Sequence, residues 1–201
     1  MIDSKPEISI EALKSGDRDE FSKLVDGYSG MIYRLALKMI GNHADAEDVL
    51  QNTFLKAFQH IGEFEARSSL STWLYRVGAN EALMLIRKRR PETVLSEIGS
   101  EETEQEDFYP AQFTDWCCLP EDEFLSSESK AALDQAVRHL PENLRIVFIL
   151  RDIEGLSIQE TGDALDLSET NVKTRLLRAR LRLREELSKY YSERLKKRRQ
   201  E

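Results

Sequence analysis

A chain of 201 residues, 33 % charged and 8 % aromatic, has room for one or two domains, each with its own core. No apolar run approaches the roughly 18 residues of a membrane helix, and the opening MIDSKPEISI lacks the basic-then-apolar layout of a signal peptide. Neither membrane insertion nor export is expected, and the expected place is the cytoplasm.

The formal charge of −8 is badly mixed along the chain. From Pro91 to Glu128 there are twelve acidic residues and no Lys or Arg; outside that stretch 29 bases face 25 acids, leaving the flanks at +4. So much like charge with so few aliphatic residues predicts a tether with little core of its own, although Phe113, Trp116, Leu119 and Phe124 offer local docking points. Within it Cys117 and Cys118 are adjacent, a spacing that argues against an ordinary disulfide between them. A metal site would have to draw on the three histidines, His43, His60 and His139, and lacks a paired Cys-x-x-Cys spacing. The expectation is two free thiols, no metal and no cofactor.

The first half reads as helices. Residues 17–40 place Phe21, Leu24, Val25, Tyr28, Ile32, Leu35 and Met39 at three- and four-residue steps, and Gly41-Asn42 supplies a stop. A second helix, about 43–61, opens with acids that suit the positive end of its dipole; its predicted inner stripe is Leu50, Phe54, Ala57, Phe58 and Ile61. After the loop GEFEARSS comes STWLYRVGANEALMLIRKRR (71–90), a helix with four cations in its last five residues. Leu70, Trp73, Leu74 and Val77 form an apolar stripe on it, and Thr72, Arg76, Asn80, Leu83 and Arg87 a largely polar one that a merely solvated face would also show.

The second half is sharper. Helices are expected over 127–139 and over 141–153, the latter with Pro141 near its first turn and Gly155 closing it. Ser157 followed by Glu160 is a capping box for a short helix to Leu165. Asp166-Leu167-Ser168 then makes the turn into a longer helix in which Val172, Leu176, Ala179, Leu183 and Leu187 stack. Short helix, tight turn and long basic helix together make a helix-turn-helix. Twelve Lys/Arg face three Glu between Asn171 and Arg199, and Thr170, Asn171, Lys173, Thr174, Arg175 and Arg178 stand outside the apolar stripe where a recognition helix enters a major groove. Arg182, Arg184 and the KKRR tail fit a solvated basic helix equally well.

Four segments in this order, DAEDVLQNTFLKAF (45–58), STWLYRVGANEA (71–82), LPENLRIVFILRDIEGLSIQE (140–160) and NVKTRLLRARLRLREEL (171–187), resemble a bacterial extracytoplasmic-function (ECF) sigma factor of the sigma-70 family. The resemblance implies an all-α fold of two small helical domains joined by an acidic flexible linker. A promoter-melting and polymerase-binding domain would span 1–91, the linker 92–126, and a helix-turn-helix −35-binding domain 127–201. It also implies that Asp48, Gln51 and Asn52 dock on core RNA polymerase. Asn52 stands where the family usually shows Glu, and Asp48 equally suits simple dipole stabilisation. Phe64, Trp73, Arg76, Asn80 and Arg87 would meet the −10 element: Phe64 in a loop that holds a flipped base, Arg76 and Asn80 at backbone and base edges, Arg87 to Arg90 against phosphates. Trp73 also lies in the apolar stripe, a place that favours the core. Asn171, Lys173, Thr174, Arg175 and Arg178 would meet the −35 element. Partners would be core RNA polymerase, promoter DNA and an anti-sigma factor; the regulon would be stress-responsive.

An enzyme is not expected, because the sequence shows no glycine-rich phosphate loop and no nucleophile–base pair. A stand-alone helix-turn-helix regulator would explain residues 140–187 as well, but leaves the acidic helix followed by an aromatic–basic one without an account.

Overall fold

The computed structural model describes residues 8–89 and 127–198, which are helical with no strand among them. The acidic stretch, Cys117, Cys118 and Arg90 lie outside the described residues.

Local sequence chemistry sets the helix ends. Ser9 caps α1 (Ile10–Lys14), a short helix the sequence reading did not anticipate. Asp17 caps α2 (Arg18–Ile40), its carboxylate accepting from the backbone N–H of Asp19 and Glu20 at 2.9 and 3.1 Å. Gly41 ends that helix at φ +78°, a left-handed conformation that glycine adopts without Cβ strain. Asn42 caps α3 (His43–His60), and a single 3₁₀ turn, Ile61–Glu63, follows. In α4 (Leu70–Arg89) the Ser69 hydroxyl accepts from the backbone of Thr72 at 3.1 Å.

In the second half, α5 (Ser127–His139) leads into α6 (Glu142–Phe148), which runs on as a π-helical turn, Ile149–Ile153. There the Glu154 N–H donates to the Ile149 carbonyl at 2.9 Å, one residue further back than an α-helix allows. The predicted capping box is formed at the head of α7 (Ile158–Leu165): Ser157 Oγ accepts from Glu160 N at 3.1 Å, and the Glu160 carboxylate accepts from Ser157 N at 2.8 Å. Asp166 turns the chain at φ +56°, and α8 (Glu169–Arg198) begins three residues later.

Two groups of helices bury two sets of apolar side chains. In the first, Leu24, Ile32, Leu35 and Met39 of α2 meet Ala46, Val49, Phe54 and Ala57 of α3 and Leu74, Ala79 and Ala82 of α4. In the second, α6 lies along α8, and the predicted stripe Val172, Leu176, Ala179, Leu183 and Leu187 is buried throughout. Each fully buried Leu or Ile contributes about 1.5–3 kcal/mol relative to exposure.

Two stripe assignments need correction. Phe58, expected inside, is 47 % exposed: the inward positions of α3 here are Thr53, Phe54 and Ala57, and the Phe58 ring meets Phe21 of α2 edge-on at 5.0 Å. Thr72, expected on an outward polar stripe, is buried, its hydroxyl 2.8 Å from Ser69 Oγ. The deep face of α4 is instead Leu74, Tyr75, Gly78, Ala79 and Ala82, because the helix is packed by α2 and α3 on one side and α7 on another. Small residues let the backbones approach: a Cβ on Gly78 would lie 3.3 Å from Ile32.

The two groups also pack on each other. Helix α7 lies against α4, and α5 and α6 touch α2. Arg145 of α6 donates from Nη1 to the carbonyl of Met39 at 2.6 Å, satisfying one of the orphan acceptors at the end of α2.

Candidate nucleic-acid and polymerase interfaces

A groove runs between α3 and α4. Its lining includes Lys56 and His60 from α3 and Trp73, Arg76, Asn80 and Arg87 from α4. These four α4 residues are the ones expected at the −10 element, and i, i+3, i+4 and i+7 steps bring them to one face. Arg76, Asn80 and Arg87 are exposed; Trp73 is half-buried, so its ring is both wall and core. Arg76 and Arg87 leave cations at the groove, while Lys56 is paired with Glu81 across it. Exposed Met84, 57 % accessible, adds an apolar rim that the sequence reading passed over.

Phe64 sits elsewhere. It follows the 3₁₀ turn, is 4 % exposed, and packs beside Trp73 with ring centroids 5.4 Å apart. In this conformation the ring anchors the loop and is not offered to a base. The phosphate role expected of Arg87 to Arg90 also divides: Arg87 is exposed in the groove, whereas Arg89 reaches back in a bidentate ion pair to the buried carboxylate of Asp45 at the head of α3. That pair holds the Arg89 guanidinium above its already high ordinary pKa. No signal in the sequence marks one arginine of the cluster as structural, since the partner is 44 residues away.

Asp48, Gln51 and Asn52 are all exposed on α3. Leu55, one turn on, is 57 % exposed, so this face combines an acid, two amides and an aliphatic side chain. Leu55 was not singled out from sequence; an apolar residue outside the core stripe was the available signal.

In the helix-turn-helix, Asn171 and Lys173 are exposed at the first turns of α8, and Thr174, Arg175 and Arg178 are half-buried. Lys173 forms an exposed ion pair with Glu169 at 3.1 Å, which a phosphate would readily displace. Arg180, a turn from Lys173 to Arg178 but on another face, is held by Asp152 through two hydrogen bonds of 2.8 and 2.9 Å, fixing α8 to the π turn. His139, weighed with the cysteines as a metal ligand, lies 2.7 Å from Glu186 Oε1. Among the described residues no group of three His, Cys, Asp or Glu side chains is placed to hold a metal ion, and no helix is long and apolar enough to cross a membrane.

Comparison with known proteins agrees with this layout. Residues 24–92 match the Sigma-70 region 2 family and residues 130–183 the Sigma-70, region 4 family. The chain is 37 % identical to the ECF RNA polymerase sigma factor SigW of Bacillus subtilis, over 89 % of this chain and 94 % of the relative. It is 32 % identical to the ECF RNA polymerase sigma-E factor of Haemophilus influenzae, over 85 % and 89 % of the two chains. Among solved structures it resembles the sigma factor RpoE of Bartonella quintana, crystallised with the anti-sigma factor NepR. That match has a TM-score of 0.61 and 26 % identity, and covers 85 % of this chain and 98 % of that one. A chain that is helical with no strand among its described residues, carries a basic helix-turn-helix and is matched over nearly its whole length by such relatives belongs to the ECF sigma factors of the sigma-70 family.

Proposed function

We propose that the chain binds core RNA polymerase through the exposed face of α3, reads the −10 element in the α3–α4 groove and the −35 element with the start of α8, and initiates transcription of a stress-responsive regulon. One observation carries this assignment. Asp48, Gln51 and Asn52 lie exposed on α3, and the groove that gathers Trp73, Arg76, Asn80 and Arg87 takes none of the three into its lining. Polymerase docking and strand recognition therefore use different residues and do not compete.

In this reading residues 1–91 form the polymerase-binding and promoter-melting domain, 92–126 the linker, and 127–201 the −35-binding domain. Asn171, Lys173, Thr174, Arg175 and Arg178 supply the donors for base edges and phosphates. Phe64 acts by bracing Trp73 at the end of the groove, and captures a base only if its loop moves. The protein works in the cytoplasm as a non-catalytic specificity subunit. The B. quintana relative was solved with an anti-sigma factor, which supports such a protein as a further partner here.

Reconstitution tests the assignment. Purified chain added to core polymerase should start transcription at a cognate promoter with no other sigma factor present. Asp48→Ala should weaken polymerase binding and leave the melting of pre-bound promoter intact; Arg76→Ala should do the reverse. Tight, sequence-specific binding by the free chain as a dimer, with no effect on polymerase, would make it a stand-alone regulator instead.

A further inference from the structure

The groove between α3 and α4 holds one side chain to which contacts with phosphates and polar base edges give no task. Met84 is 57 % exposed, and of the large apolar side chains left exposed among the described residues it is the one that lines this groove. A lone exposed methionine on a solvated face needs no explanation. This one has company. At about 100° per residue, Trp73, Arg76, Asn80, Met84 and Arg87 share one face of α4, with Met84 near its middle. Asn80 precedes it by one turn and Arg87 follows it by three residues, and both are exposed. Glu81, the carboxylate in the lining, is only 11 % exposed and is paired with Lys56 of α3, so it adds little repulsion toward a polyanion. The thioether therefore forms an apolar centre in a surface of cations and an amide, the chemistry of a nucleic-acid contact.

Chemistry narrows what that centre can meet. Phosphates and the hydrogen-bonding edges of bases offer little to a thioether. In the major groove of paired DNA, the C5-methyl of thymine is the apolar group that a base edge presents. A base face would serve as well, but faces are covered by stacking while the strands are paired. Position along α4 selects paired DNA. The loop expected to hold a flipped base ends against Trp73, where Phe64 packs, so the melted end lies toward the head of the helix. Met84 stands eleven residues beyond Trp73, a rise of about 16 Å. From Asn80 to Met84 the rise is about 6 Å, which matches about two base steps. The flexible methionine stem lets the thioether settle on a small apolar target.

We propose that Met84 is a specificity residue, which reads the methyl group of a thymine in paired DNA on the side of Asn80 away from the melted end. The proposal rests on the reading of the α3–α4 groove as the −10 site, and adds to it a base that polar contacts alone would not select. Arg76 and Arg87 hold phosphates and Asn80 donates to a base edge. Met84 discriminates by burying a methyl group that the other three bases lack.

Holoenzyme made from the full chain and core polymerase tests it on duplex promoters. A library randomised across the −10 region first gives the base preferences of the parent, Asn80→Ala and Met84→Ala. Met84→Ala should relax a thymine preference at a single position, about two pairs from the one that Asn80→Ala relaxes. Met84→Leu, apolar and of similar volume, should keep that preference. Deoxyuridine, which pairs as thymine does but has no C5-methyl, is then placed at the same position. It should weaken binding by the parent about fourfold, equivalent to ~0.8 kcal/mol for one buried methyl-sized group, and leave binding by Met84→Ala unchanged. Insensitivity of the parent to deoxyuridine, or an equal loss in parent and Met84→Ala, overturns the methyl contact. A loss from Met84→Ala that is the same for every base overturns it too, because it marks stacking on a base face or simple bulk. If Arg76→Ala and Asn80→Ala change neither binding nor any preference across the region, the −10 reading itself fails. Effects in those two variants with every preference intact in Met84→Ala sink the methyl contact alone.

Discussion

Gly162→Ala separates two opposed expectations for the helix-turn-helix. Gly162 lies inside α7, and helix propensity alone makes alanine there better by about 1 kcal/mol. The turn reverses the sign. Leu167 N–H donates to the Gly162 carbonyl at 3.0 Å, folding the chain back so that a Cβ on residue 162 would stand 2.7 Å from the Leu167 carbonyl oxygen. That atom is backbone, and it is fixed by the Asp166 turn and by the first turn of α8, so relief requires the turn to open. Overpacking of this kind costs about 1–3 kcal/mol, which offsets the propensity gain and leaves a net loss of up to about 2 kcal/mol. For a domain of this size class the melting temperature should fall by several degrees. Gly30→Ala is the matched control: it lies in α2, its Cβ would meet only the end of the Arg34 side chain at 3.5 Å, and it should stabilise by up to about 1 kcal/mol. Thermal unfolding of the two variants side by side, with −35 promoter use by the holoenzyme as second readout, checks the argument. If Gly162→Ala raises the melting temperature as Gly30→Ala does, the close approach is not a constraint and the reasoning fails.

Three further outcomes are expected. Arg178→Ala should cost about 1–3 kcal/mol in holoenzyme binding and relax the preference at one −35 position, whereas Arg184→Ala should have a smaller effect, equal for all sequences; a uniform loss from both, measured over a promoter library, would remove Arg178 as a base reader. Phe64→Ala should destabilise by about 3–5 kcal/mol, as burial beside Trp73 requires; an unchanged melting temperature with lost permanganate reactivity of the melted strand would assign the ring to base contact. Glu20 is held below its ordinary value of 4.5, first by its hydrogen bond from Lys23 and then by the Ser9 N–H at 2.6 Å. A depressed carboxylate stabilises fully above the ordinary value and loses that contribution as pH falls through the folded one, so acid unfolding of Glu20→Gln should be less steep than that of the parent in that window.

The longer helices, the Ser157 capping box and the helix-turn-helix were legible in the sequence because each rests on residues within four or five of one another, whereas the short α1 was missed. Ser157 caps the helix it precedes, Gly41 ends α2, and the stripe from Val172 to Leu187 is buried as its spacing requires; Asp17 and Asn42, which also cap, were read only as a helix position and as part of a stop. Arg76, Asn80 and Arg87 were legible as one stripe of α4 for the same reason, while Trp73, read as part of the apolar stripe, joins them at the groove.

What escaped depends on partners far along the chain. Phe58 shares the predicted stripe with Phe54 and Ala57, yet it is left 47 % exposed while they are buried. Arg87 and Arg89 are equivalent in a string of cations until Asp45, at the head of another helix, selects one of them. Tyr75, Gly78 and Ala79 break the simple apolar stripe because α4 is covered on two sides, by α2 and α3 and by α7, and a periodic pattern describes only one. The sequence by itself determined the helices and the chemistry each displays. Only the tertiary structure decided that Glu154 would meet Tyr75 across 79 residues, because the position of a π turn and the approach of two helix groups are not written in any local run.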